Sequence, residues 1–324
     1  MTSISRILVP TDFSTTSREA FGFAKTLADT FGASVHLVHA FEDPFAAALF
    51  APEVYAPLPP DLRQNVLHDI ERHFTEWLPD VDRARLKGTS KIVDGPTAKG
   101  IVDYARRLGA DLIVIGTHGR TGLAHVMLGS VAERVVREAP CPVLTVRQTP
   151  HRIRRILVPT DFSATADAAL DHALLFAARF GASLELLHVL DDPFVTEGLA
   201  SEAYIAEAPM LRSAMLREAQ NRLAHRVAPL RNAAEFEGWP ALVRVDAEVL
   251  FGHGAGTIAE YAETRNVDLV VMGTHGRTGV THLLMGSVAE KLVRTAPCPV
   301  LTVRPAPGTK QRAEIVYDVE HLPA

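Results

Sequence analysis

Short, wholly apolar runs alternate along the chain with longer stretches whose apolar residues recur at helical spacing. Ile7-Leu-Val9 is apolar throughout and ends in Pro-Thr-Asp, the pattern of a strand buried on both faces of a parallel sheet. Beyond it, Ala20, Phe23, Ala24, Leu27, Ala28 and Phe31 share one helical face, with Thr16 and Glu19 at capping-box spacing ahead of them and Gly32 ending the run. The same reading predicts strands at 35–39, 91–93, 112–115 and 143–146, and helices at 62–77, 97–108 and 130–137. Strands alternating with helices of this length form βαβ units, hence a mainly parallel sheet with helices on both faces.

The pattern is written twice. Arg6-Ile-Leu-Val-Pro-Thr-Asp-Phe-Ser14 recurs letter for letter from Arg155 to Ser163, and Phe31-Gly-Ala-Ser34 recurs from Phe180 to Ser183, both at an offset of 149. Further on the offset is 157, and residues 116–147 match 273–304 at 24 of 32 positions. The eight extra residues of the second copy fall between Phe194 and Leu250, where a surface loop and helix absorb length. The expected architecture is therefore α/β, with two tandem, doubly wound, Rossmann-like parallel-sheet domains of five strands each. They span residues 1–147 and 154–304, and 305–324 form a polar C-terminal extension. The Pro-rich stretch 51–60 reads as a surface connection or a lid.

Composition narrows the function. A chain of 324 residues, 47% hydrophobic and 22% charged, holds two folded domains and is not a disordered one. Lys+Arg 33 against Asp+Glu 38 gives a net charge of −5, so neither nucleic acid nor an anionic membrane is an expected partner. The start of the chain lacks the apolar core of a signal peptide, and runs such as 111–116 are far shorter than the roughly 18–20 residues of a membrane span, so a soluble cytoplasmic protein is expected. Two cysteines, Cys141 and Cys298, suit small apolar filler or a redox thiol, not a disulfide scaffold. His36 and His39 point to opposite faces of a strand, and His68 and His73 are poorly spaced on a helix, so no zinc site is expected. Trp77 and Trp239, at non-equivalent repeat positions, read as packing residues.

Candidate chemistry gathers in Gly116-Thr-His-Gly119-Arg-Thr-Gly122, which begins where a buried strand ends and leads to Gly129-Ser130 at the start of a helix. Ligands of open α/β sheets bind beyond the carboxyl ends of strands. Gly116 and Gly119 let the backbone approach a bulky anion, while the helix start at Gly129 and Ser130 offers unpaired N–H groups, so phosphate is the natural ligand. Arg120 adds charge if it turns inward. The arrangement recurs with Gly273, Gly276, Arg277, Gly286 and Ser287. Asp12 and Asp161, just past a buried strand, suit hydrogen bonding to a nucleobase, a ribose or a metal-bound water, or else simple turn chemistry. His118 and His275 fit either proton transfer beside a phosphate or the fixing of loop geometry. Neither the Walker pattern nor the dinucleotide G-x-G-x-x-G is present.

The G-x-x-G-x9-G-S pattern, with Pro-Thr-Asp-Phe-Ser after the first strand and Cys-Pro-Val-Leu-Thr-Val at the last, resembles the ATP-binding subgroup of the universal stress protein family in tandem form. The resemblance covers each half end to end. It implies that ATP, with Mg²⁺, binds each half. The adenosine end falls on Pro10, Thr11, Asp12 and Ala40, then on Pro159, Thr160, Asp161 and Val189; Ala40 stands where the family usually has valine. The phosphate end falls on Gly116, Gly119, Gly129, Ser130 and Val131, then on Gly273, Gly276, Gly286, Ser287 and Val288. Dimerisation through the last strand is also implied. In a tandem chain, strands 143–146 and 300–303 can pair as an internal pseudo-dimer, which does not preclude a homodimer of chains. The expected function is an ATP-binding stress-response module that regulates contact with a protein partner, with no catalytic residue assigned. The alternatives are a slow ATPase or phosphotransferase, or a nucleotide-free interaction scaffold.

Overall fold

Residues 3–42, 59–119, 128–147, 152–191, 202–232, 244–274 and 285–304 are described by a computed structural model. The stretch 51–58, Trp239, the linker 148–151 and the extension 305–324 lie outside the described residues. The first repeat supplies β1 (Arg6–Pro10), α1 (Thr15–Phe31), β2 (Ser34–Phe41), α2 (Pro60–Trp77), α3 (Asp80–Arg85), β3 (Thr89–Asp94), α4 (Thr97–Leu108), β4 (Leu112–Gly116), α5 (Ser130–Glu138) and β5 (Val143–Val146). The second supplies β6 (Arg155–Pro159), α6 (Ala164–Phe180), β7 (Ser183–Leu190), α7 (Glu202–Asn232), β8 (Val245–Phe251), α8 (Gly254–Thr264), β9 (Leu269–Gly273), α9 (Ser287–Thr295) and β10 (Val300–Val303).

These strands form one sheet in the order β3-β2-β1-β4-β5-β10-β9-β6-β7-β8. Neighbours pair in parallel except β5 and β10, which run antiparallel with Leu144 opposite Leu301. Thr145 Oγ1 donates to Val300 O and Thr302 Oγ1 to Val143 O, both at 3.1 Å, so two buried hydroxyls find partners across the seam. A short apolar strand that would be an aggregation-prone edge is thus covered by its own repeat. Arg147 donates to Arg294 O and Arg304 donates to Val136 O, so the last strand of each half also reaches a helix of the other.

The sheet divides two cores, and each runs through both repeats. On one face Phe23, Leu27, Phe74 and Trp77 join Phe176, Ala177, Leu223 and Val227. On the other Ile101, Val102, Val135 and Val136 join Ile258, Leu292 and Val293. Ala219, Leu223 and Val227 take the buried places of Ile70, Phe74 and Leu78 at the offset of 149, so the extra residues of the second copy enter after Val227 and before β8.

Two local expectations are corrected. The N-cap of α1 is Ser14, not Thr16: the chain reaches Ser14 in extended backbone (φ −72°, ψ 166°), and its Oγ accepts from Ser17 N–H, which leaves Thr16 inside the first turn. The helix α3 buries none of its six residues, so it left no apolar periodicity to detect.

Candidate functional site

Within each half the strand order turns at β1 and β4, or at β6 and β9, and a crevice opens where the two chain directions diverge. Cleft 1, of about 310 Å³, is lined by Pro10, Thr11 and Asp12 after β1, Ala40 of β2, Gly116 and Gly119 after β4, and Gly129, Ser130 and Val131 at the start of α5. Cleft 2, of about 430 Å³, is lined by Pro159, Thr160, Asp161, Val189, Gly273, Gly286, Ser287 and Val288. Every described residue singled out for the adenosine and phosphate ends therefore lies in one of two clefts. Gly276, Arg120, Arg277 and His275 lie outside the described residues.

Asp12 performs two tasks. Its Oδ1 accepts from Ser14 N at 3.1 Å and from Ser17 Oγ at 2.6 Å, which holds the turn after β1. Its Oδ2 faces Gly119, where an added Cβ would sit 2.7 Å away. Asp161 Oδ1 accepts from Ser163 N at 3.0 Å, while Ala166 stands in place of Ser17. Turn chemistry and placement in the cleft thus coexist in one carboxylate.

The glycines divide by what requires them. A Cβ at Gly116 would meet the Thr16 backbone at 3.0 Å, and one at Gly273 would meet Thr165 Cγ2 at 2.7 Å, so helix packing on the strand end demands glycine there. Gly119 is required by the Asp12 carboxylate instead. Gly129 N donates to Thr117 O and Gly286 N to Thr274 O, each at 2.8 Å, which ties each loop's return to its start.

Helix starts differ in kind. Those of α1 and α6 are capped by the hydroxyls of Ser14 and Ser163, whereas α5 and α9 follow Gly129 and Gly286, which have no side chain to cap with. The N–H groups of the first turns of α5 and α9 therefore face their clefts with the positive end of the helix dipole. No lysine or arginine lines either cleft among the described residues.

His39 and His188, not among the residues expected there, line the clefts. His39 Nδ1 donates to Thr11 O at 2.8 Å, and His188 Nδ1 to Thr160 O at 2.6 Å. Phe13 stacks on His39 with centroids 5.1 Å apart, and Phe162 tilts over His188 at 4.5 Å. Both phenylalanines have positive φ, 62° and 65°, an unfavourable state for a bulky side chain that each half keeps at the same place. The signal was present in the repeat: the histidine persists at the offset of 149 while most of its strand changes. His118 also lines cleft 1 and shares a 2.8 Å hydrogen bond between Nδ1 and Thr117 Oγ1. Burial, with Asp111 or Asp268 adding to it, pushes the Cys141 and Cys298 thiols up to about 12, so both stay protonated and suit filler instead of redox work.

Comparison with known proteins agrees with the duplicated fold. The model of the universal stress protein family matches residues 3–147 and again 152–304. A universal stress protein of Mycolicibacterium smegmatis is 28% identical over 306 residues, covering 92% of this chain and 97% of that protein. One from Methanocaldococcus jannaschii is 36% identical over 160 residues, covering 49% of this chain and 86% of its own. The crystal structure of a universal stress protein from Archaeoglobus fulgidus matches 92% of this chain and 98% of that one with a TM-score of 0.60; at 19% identity it bears on the fold alone. Among the described residues, no helix is long and apolar enough to cross a membrane.

Proposed function

The chain belongs to the universal stress protein family, and on that premise we propose that it binds ATP with Mg²⁺ in each of its two clefts and acts as a nucleotide-dependent regulatory module. The observation that carries the proposal is convergence. Residues from the ends of β1, β2 and β4 meet at one crevice beside a helix start with no capping side chain, and the second half repeats the arrangement. The first-turn amides of α5 and α9, with the hydroxyls of Ser130 and Ser287, hold the phosphates. Pro10, Thr11, Asp12 and Ala40, or Pro159, Thr160, Asp161 and Val189, take the adenosine end. Asp12, tethered by Ser17, is the acceptor for a donor on the ligand or for a metal-bound water. Mg²⁺ offsets the phosphate charge that backbone dipoles alone do not neutralise.

Regulation follows from where α5 and α9 lead. Glu133 in the first turn of α5 pairs with Arg294 of α9 at 3.1 Å, and Arg294 also pairs with Glu290 in the first turn of α9 at 2.8 Å. A phosphate that orders either first turn therefore acts on an ion-pair joint between the halves and on the β5–β10 seam. A ligand shifts populations only through unequal affinity for two states. Hydrogen exchange with and without saturating ATP and Mg²⁺ tests this: the first turns of α5 and α9 and the strands β5 and β10 gain protection. Unchanged exchange in all four refutes the regulatory reading. Hydrolysis is not part of the proposal, since no described lysine or arginine lines either cleft to meet the charge of a γ-phosphate.

A further inference from the structure

The two clefts differ at one wall. In cleft 1, Glu42 at the end of β2 commits its carboxylate to the start of α4: Oε2 accepts from Thr97 N at 3.3 Å and from Thr97 Oγ1 at 3.1 Å. Pro96, the N-cap residue of α4, offers no side-chain cap, so Glu42 supplies one from another element. Glu42 lines a neighbouring cavity with Phe13, Phe41, Asp69 and His73, while Thr97 lines cleft 1. In cleft 2, Gly254 replaces Thr97 and has no hydroxyl to bind, and Asp191, one carbon shorter, replaces Glu42. Both Asp191 and Gly254 line cleft 2. The swap exchanges a hydroxyl-filled wall for an open one that presents a carboxylate.

A carboxylate in a nucleotide cleft repels phosphate and accepts hydrogen bonds from neutral donors. The phosphates belong at the start of α9, and the base lies against Val189, two positions before Asp191, which follows the end of β7 and lines the same cleft. The donors left between them are the ribose hydroxyls. We propose that Asp191 accepts hydrogen bonds from the ribose 2′- and 3′-hydroxyls in cleft 2, and that the Glu42–Thr97 bond withholds the equivalent contact in cleft 1. The chain then carries two unequal sites, one with this added contact to the sugar and one without it. This rests on the nucleotide reading above.

The test isolates each cleft. Ser130→Asp places an anion at the phosphate end of cleft 1, and Ser287→Asp does so in cleft 2; both serines are exposed first-turn residues, where an acidic side chain suits the helix. Titration calorimetry then compares ATP with 2′,3′-dideoxy-ATP. With cleft 2 alone active, the dideoxy analogue binds about tenfold more weakly, as for the loss of a hydrogen bond to a charged acceptor, and Asp191→Ala abolishes the difference. With cleft 1 alone active, the dideoxy penalty is smaller, and Thr97→Gly, which removes the hydroxyl that binds Glu42 and leaves only the backbone N–H, enlarges it. Equal dideoxy penalties in both clefts, or a penalty that survives Asp191→Ala, overturn the inference while the nucleotide reading stands. A loss with inosine triphosphate that matches or exceeds the dideoxy loss, and that Asp191→Ala removes, reassigns Asp191 to the base and overturns it too. No ATP binding in either protein overturns both readings.

Discussion

Ser130→Asp and Ser287→Asp separate the stability of the protein from its affinity for ligand, because the two effects have opposite signs. An acidic side chain in the first turn favours the dipole of α5 or α9 and stabilises the free protein by about 0.3–1 kcal/mol. The same charge opposes a phosphate held by the adjacent amides. Two unit charges about 4 Å apart interact by about 1 kcal/mol in water and about 4 kcal/mol at an effective dielectric of 20, so a half-open cleft gives about 2 kcal/mol, or about thirtyfold in affinity. At ATP about 100 times Kd each site stabilises by about 2.7 kcal/mol, and a thirtyfold loss lowers that to about 0.9. The rise in melting temperature on adding ATP and Mg²⁺ therefore shrinks by about a third in either variant and by about two thirds in the double variant, while the ligand-free midpoint holds or rises. An undiminished ATP shift refutes the placement of phosphates at these helix starts. A substantially lowered ligand-free midpoint refutes the assignment of Ser130 and Ser287 to exposed first-turn positions.

Other substitutions probe the remaining parts. Gly116→Ala forces a Cβ to 3.0 Å from the backbone of α1 and costs about 1–3 kcal/mol in urea unfolding, whereas Gly119→Ala presses only on the Asp12 carboxylate and costs under about 1 kcal/mol while weakening ATP in cleft 1. Burial, then Arg6, holds His36 below the usual imidazole range, neutral between Ser34 Oγ and Thr89 Oγ1 at 2.8 and 2.7 Å. The unfolded chain takes up that proton first, so stability is present above the ordinary value of about 6.5 and falls as pH drops through it; His36→Gln flattens this slope in urea midpoints measured between about pH 7.5 and 5.5. Cys141 and Cys298 resist a thiol-reactive disulfide reagent at about pH 8 in the folded protein and react once it is unfolded in denaturant.

Much of this architecture is legible in the residues, and what is not has identifiable causes. The apolar runs around Ile7, Leu112 and Val143 are strands because both faces of the sheet are covered, which removes polar positions from them. The duplicated Pro-Thr-Asp and glycine segments pointed to the two clefts because their positions at strand ends place them at the sheet's carboxyl edge. Local spacing failed where tertiary contacts decide. Thr16 has the spacing of a cap, but the turn at Asp12 and Phe13 delivers Ser14 to that position first. Gly116 reads as an anion-binding glycine, yet its requirement comes from Thr16, distant in sequence. Glu42 and Thr97 are 55 residues apart and become partners only when α4 lies against β2.

The most direct test of the central claim is the number of nucleotides held by one chain. The purified protein is equilibrated with ATP and Mg²⁺, freed of unbound ligand, denatured and filtered, and the released nucleotide is identified and counted by chromatography and mass spectrometry. Two ATP per chain, with less retained after either Ser130→Asp or Ser287→Asp and least in the double variant, is the result expected of two adenine-nucleotide clefts. No nucleotide from the unaltered protein contradicts the account and leaves a two-domain scaffold whose glycine loops serve only the fold.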